Sequence, residues 1–207
     1  MNLYVRQMST YIPQVDNQGY TADIVTMTKG ARFMHKRLYA FLILLSSLLT
    51  YFTVHAEELA FFDATFGDFA EELEIAKEEG KSGIFIFFEM DECPFCHRMK
   101  TTILNQPDVE SFYKKHFKVF QVDIEGDVEM TDFDGTLTTQ KDFSFKKHRV
   151  RATPVMAFFD LTGKRVVRYT GATSSKEEFI LLGEFFLNGH YKDTSFTRYK
   201  RMQRKAQ

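Results

Sequence analysis

The 207-residue chain has room for one ordinary domain plus additional segments. Its 44% hydrophobic and 27% charged residues are globular values, and its 15% aromatic content includes 23 Phe and no Trp. A net charge of −1, with no stripe of basic and aromatic residues, argues against a nucleic-acid partner.

Residues 1–33 are mixed and aperiodic, and read as an over-long start or a disordered N-terminal extension. Met34-His35-Lys36-Arg37 then precedes an apolar stretch over 38–54 and the small-residue site Val54-His55-Ala56. Basic n-region, apolar h-region and cleavage site together make 34–56 a signal peptide beginning at Met34 and cut after Ala56. An uncleaved anchor is the alternative, because 38–54 is only marginally long enough to span a bilayer. Either way the remainder is expected outside the cytoplasm, in the periplasm. From 57 onward the chain holds 22 basic and 26 acidic residues, about −4.

Residues 57–192 carry the alternating helix and strand patterns of the expected α/β domain. Asp63 is expected to cap a helix over 64–79, with Phe66, Phe69, Leu73 and Ala76 on its core face and Gly80 ending it. The β-branched and aromatic run over 84–88 predicts a strand buried on both faces. After the acidic Glu89-Met90-Asp91-Glu92, a helix is expected to start at the first of the only two cysteines and to run to Leu104. Asn105-Gln106-Pro107-Asp108 interrupts it, and 109–117 resumes as an amphipathic turn or two. Residues 118–124 predict the next strand. The polar stretch 125–140 reads as an insertion loop, its five acidic residues and the preceding Asp123 forming a solvated face because the spacing lacks the calcium-loop pattern. Thr139 is expected to cap a helix over 140–148. A strand over 155–159, a hairpin at Asp160-Leu161-Thr162-Gly163 and a strand over 164–169 follow. Ser174 and Glu177 form a capping-box pattern for a helix ending near Leu187. The tail, 193–207, is basic and expected to fray.

Cys93-Pro94-Phe95-Cys96, followed by His97, is the stretch on which chemistry is expected. With Cys93 as N-cap and Pro94 at N1, the proline's missing N–H is harmless. An exposed Cys93 would face the helix dipole and the free amides of the first turn, which favour thiolate. Cys96, one turn on, could close a disulfide and resolve a mixed one. A zinc site would need a second ligand pair, which the sequence lacks. The Cys-x-x-Cys-His spacing also matches a haem attachment site with His97 as axial ligand, which would make the protein an electron carrier. His97 reads equally as a charge that favours thiolate or as a solvent-facing residue.

Cys93-Pro94-Phe95-Cys96 at a helix start, Val150-Arg151-Ala152-Thr153-Pro154 before a strand, and the Phe158-Phe159-Asp160-Leu161-Thr162-Gly163 hairpin occur in that order. On these three features, 57–192 resembles the thioredoxin superfamily, most nearly periplasmic thioredoxin-like proteins of the SoxW type. The resemblance implies a thioredoxin fold, α/β with a central mixed sheet flanked by helices. It implies a thiol–disulfide oxidoreductase in which Cys93 and Cys96 react, Thr153 and a cis Pro154 face substrate, and Pro94, Phe95 and His97 support the pair. A plain strand-initiating proline is the other reading of Pro154. No metal and no cofactor beyond the redox-active Cys93–Cys96 disulfide is implied. Partners would be disulfide-containing periplasmic proteins and a membrane thiol-reductant donor, with the protein a monomer. Reduction is the expected direction, with a disulfide-donating oxidase or isomerase as the alternative. Two departures stand out: Phe87 replaces the buried Asp six residues before the first Cys, and the flanking tryptophans are missing. Glu89, Asp91 or Glu92 could stand in through a water, although a solvated loop is their simpler reading.

Overall fold

The computed structural model describes residues 61–206. The expected 1–33 extension and the 34–56 export segment lie outside the described residues. Among the described residues, no helix is long and apolar enough to cross a membrane.

Four strands form the main sheet: β1 (Gly83–Glu89), β2 (Phe117–Asp123), β5 (Val155–Phe159) and β6 (Arg165–Thr170), in the order β2-β1-β5-β6. β1 runs parallel to β2 and antiparallel to β5, and β5 is antiparallel to β6, so the sheet is mixed. The uninterrupted apolar run of β1 follows from burial on both faces. Phe85 and Phe87 point into one core with Tyr113, Phe158 and Phe179, while Ile84, Ile86 and Phe88 point into another with Phe69, Phe143 and Phe159.

The first core lies under α2 (Pro94–Met99, continued by a wider π-helical stretch, Lys100–Leu104), α3 (Pro107–His116), α5 (Lys176–Leu187) and α6 (Phe196–Ala206). Tyr113 stacks on Phe179 with ring centroids 4.2 Å apart, and its buried hydroxyl donates to the Phe179 carbonyl at 2.7 Å. The second core is covered by α1 (Phe69–Glu78) and by the helical turn α4 (Gln140–Asp142), continued by a π-helical stretch, Phe143–Lys147. Gly83 is required where β1 begins. A Cβ there would overlap the Phe159 carbonyl oxygen and meet Phe186 Cζ at 3.0 Å.

The predicted strands agree with the observed ones to within a residue at each end, and Thr139 caps α4 by accepting from the Asp142 N–H. Several expectations need correction. The first helix starts at Phe69, capped by Asp68, whose carboxylate accepts from the Glu71 N–H. Asp63 instead satisfies the sheet edge: its N–H donates to the Val119 carbonyl and its carboxylate accepts the Val119 N–H, at 2.7 and 2.8 Å. Phe66 therefore precedes the helix, escapes the helical period and is fully exposed at 104%. Pro107 opens α3 at its first turn, so the break ends earlier than 109.

The stretch 125–140 is not a plain loop. It folds as the hairpin β3 (Glu129–Thr131) and β4 (Leu137–Thr139), turned at Gly135 with φ 80°. Its Asp132 is buried and paired with Lys147. The α5 cap sits one residue later than expected, with Ser175 accepting from the Glu178 N–H. The basic tail does not fray: α6 buries Phe196 and Tyr199 against Tyr169, Phe185 and His190. Two aromatics in a run of cations give too weak a pattern to read as an amphipathic helix.

Candidate active site

β1 ends at Glu89, and a short turn delivers the chain to α2 with Cys93 as its N-cap and Pro94 in its first turn. Cys93 and Cys96 form a disulfide with Cα atoms 5.2 Å apart. The Cys96 amide donates to Cys93 Sγ at 3.1 Å, and the Cys93 carbonyl accepts the His97 N–H at 3.0 Å. In the reduced pair the same amide and the helix start would favour thiolate at Cys93. Cys93 is not exposed as expected. It is 5% accessible and Cys96 2%, because capping turns the Cys93 sulfur back over the helix start. Pro94, Phe95 and His97 around it are exposed, Phe95 at 61%.

The second half of the site comes from β5. Phe88 pairs with Val155, so the turn after β1 and the residues before β5 leave the sheet at the same end. There the Thr153–Pro154 bond is cis. The Pro154 carbonyl accepts the Gly171 N–H at 2.9 Å, while among the described residues no hydrogen bond takes the Thr153 amide or carbonyl. Thr153 Oγ1 is buried without a partner. Arg98 of α2 donates to the Thr173 carbonyl at 3.2 Å, so the segment 171–175 touches both halves.

Phe87, in place of an acid, is fully buried on the face of β1 that carries the disulfide core. Glu89 lies two residues on, on the same face of the strand. It is not a solvated loop residue: its side chain is 15% exposed and bonded to Lys100 Nζ at 2.6 Å. Burial raises its pKa above the ordinary value, and the Lys100 ammonium opposes this. Beside it opens a cleft of about 400 Å³ lined by Phe62, Asp63, Thr65, Glu89, Gln121 and Gln140. Asp91 and Glu92 are exposed. Sequence reasoning missed the Glu89–Lys100 pair and the Arg98 contact. The available signal was a lysine one helical turn past Cys96, opposite an acid ending the preceding strand.

The thioredoxin-like domain family model matches residues 69–187. The fold is similar to that of a thioredoxin-fold protein from Helicobacter pylori, 19% identical, with a TM-score of 0.54 over 72% of this chain and 92% of that one. Further similarity is found to a thioredoxin from Thermus thermophilus (24% identity, TM-score 0.46, 59% and 86% of the two chains). The oxidised C-terminal domain of DsbD from Neisseria meningitidis is 22% identical, with a TM-score of 0.42 over 56% of this chain and 89% of that one. No curated protein matches the sequence. The matched span contains both the disulfide helix and the cis-proline approach to β5, and the chain belongs to the thioredoxin-like domain family.

Proposed function

We propose that the chain is an exported thiol–disulfide oxidoreductase of the SoxW type that reduces disulfides of periplasmic proteins. The observation that carries this reading is the Cys93–Cys96 disulfide at a helix start, with the Cys96 amide on Cys93 Sγ. In the reduced protein the Cys93 thiolate attacks one sulfur of a substrate disulfide and expels the other as thiolate. Cys96 then loses its proton and attacks Cys93 Sγ, releasing the second substrate sulfur. Two electrons and two protons reach the substrate, and the Cys93–Cys96 disulfide remains. A membrane thiol donor returns the pair to the dithiol. Thr153 and Pro154 support an extended substrate segment, whose backbone pairs with Thr153 as with a strand edge.

The experiment is turnover of a protein disulfide by wild type, Cys93→Ser and Cys96→Ser. Wild type turns over, Cys93→Ser is inactive, and Cys96→Ser accumulates a mixed disulfide. Turnover by Cys93→Ser would sink the mechanism. The reduction potential decides direction: a value near −270 mV, roughly that of thioredoxin, fits a reductant, and one near −120 mV a disulfide donor. N-terminal sequencing of the exported protein tests cleavage after Ala56.

A further inference from the structure

The charges of this domain are segregated. Residues 57–195 hold 17 basic and 26 acidic side chains, whereas 196–207 hold five basic and none acidic. α6 spans about 16 Å at 1.5 Å per residue. Its inward side is Phe196 and Tyr199, and Lys200 is paired with Glu178 at 2.5 Å. Arg198, Arg201 and Lys205 recur three and four residues apart on the outward side, flanked by Arg204, and all four are exposed. Among the described residues, Lys200 is the α6 cation that has a carboxylate within ion-pairing distance.

We propose that α6 docks the domain electrostatically on an anionic phospholipid surface. The face carries charge around a single apolar side chain, Met202, 50% exposed, its aromatic residues being turned inward. A protein interface is carried by a cluster of aromatic and arginine anchors in buried pockets, more than one methionine on an open helix face supplies. A bilayer needs only clustered cations within a Debye length. The acidic remainder of the domain is repelled by the same surface, which fixes α6 as the contacting side. Phe196 packs on Tyr169 of β6, and Glu178 bonds both Lys200 and Ser174, in the segment that touches Arg98 and Pro154. Docking would therefore hold the redox pair close to the membrane. It needs no redox activity, so its failure leaves the Cys93–Cys96 chemistry standing.

The test is co-sedimentation of the full chain with phosphatidylcholine vesicles, with and without phosphatidylglycerol. The readout is the ratio of the two partition coefficients, because any affinity of the apolar 38–54 segment enters both. The wild-type ratio is expected to be large at low salt and to fall as salt rises. Each neutralised cation lowers it about fivefold, so the variant Arg198→Gln/Arg201→Gln/Lys205→Gln lowers it about a hundredfold. Arg201→Glu alone, which changes one exposed side chain, lowers it in the same direction. An equal ratio in wild type and variants, or a wild-type ratio near one, would overturn the proposal. So would retention on a polyglutamate resin without preference for phosphatidylglycerol, which assigns the face to an acidic protein.

Discussion

Glu178 is the carboxylate on which α5, α6 and β6 converge. It accepts from the Tyr169 hydroxyl at 3.1 Å, from Lys200 Nζ at 2.5 Å, and from both the amide and the hydroxyl of Ser174. Burial raises its pKa, but the Lys200 and Ser174 donors more than reverse that and hold it at about 2, against an ordinary 4.5. The unfolded chain therefore takes up this proton first as pH falls. The stabilisation is complete above pH 4.5 and is lost as pH falls through about 2. At about 1.4 kcal/mol per pH unit the full difference is on the order of 3 kcal/mol, and partial access of solvent to Lys200 reduces it to about 2 kcal/mol. Glu178→Gln keeps an acceptor for Tyr169 and Ser174 but removes the charge. Urea denaturation at a series of pH values should show the variant about 2 kcal/mol less stable near neutrality, with the gap closing toward pH 2. A gap that stays constant with pH would refute the ion pair as its source. A gap already closed well above pH 4.5 would refute the depressed pKa.

His148 governs a second acid window. Its ring lies 4.4 Å from Phe143 and 5.0 Å from Phe159, and its Nε2 has no partner. Burial, with the Arg165 charge, lowers its pKa from 6.5 to about 4. Stability present above pH 6.5 is therefore lost as pH falls toward 4, by roughly 2 to 3 kcal/mol. His148→Phe should flatten the denaturation midpoint across that range, and an unchanged slope would show that another group titrates there. Gly83→Ala should cost about 1–3 kcal/mol through overlap with the Phe159 carbonyl and Phe186, lowering the urea midpoint at unchanged m. A wild-type midpoint would mean that β1 and α5 separate without cost.

What the sequence made legible was whatever a strong local pattern fixes. The run 84–88 reads as a strand buried on both faces, 155–159 as an apolar strand after Thr-Pro, and the Cys-Pro pair before 95–104 as a helix start. Short polar elements escaped. Three-residue strands such as Glu129–Thr131 are too brief to display alternation, and their pairing depends on a turn at Gly135. The order of the tail has a tertiary cause that no local pattern shows: α6 is held by Phe196, Tyr199 and the Lys200–Glu178 pair, all of which act across the fold. Glu89 resembles a solvated acid in the sequence because its partner, Lys100, becomes a neighbour only when α2 folds back over β1.

We predict that this pair takes up the proton that Cys96 loses. At Phe87, fully buried, a carboxylate would face a desolvation penalty of several kcal/mol without a partner. Two residues along the same face, Glu89 reaches the edge of the core, where Lys100 meets it. Lys100 itself follows Cys96 by one turn, and its amide donates to the Cys96 carbonyl. The carboxylate is raised in pKa by burial, so it accepts a proton more readily than a solvated acid would. Glu89→Gln is therefore expected to slow resolution of the mixed disulfide by Cys96 while leaving the first attack by Cys93 unchanged. Rapid-quench measurement of the mixed disulfide against pH separates the two steps. Lys100→Met should cost about 2 kcal/mol in folding stability, because it strands a half-buried carboxylate, and adding Glu89→Gln should restore most of it. Equal slowing of both steps in Glu89→Gln, or a resolution rate with the wild-type pH profile, would remove Glu89 from the proton path and leave it a structural partner of Lys100 alone.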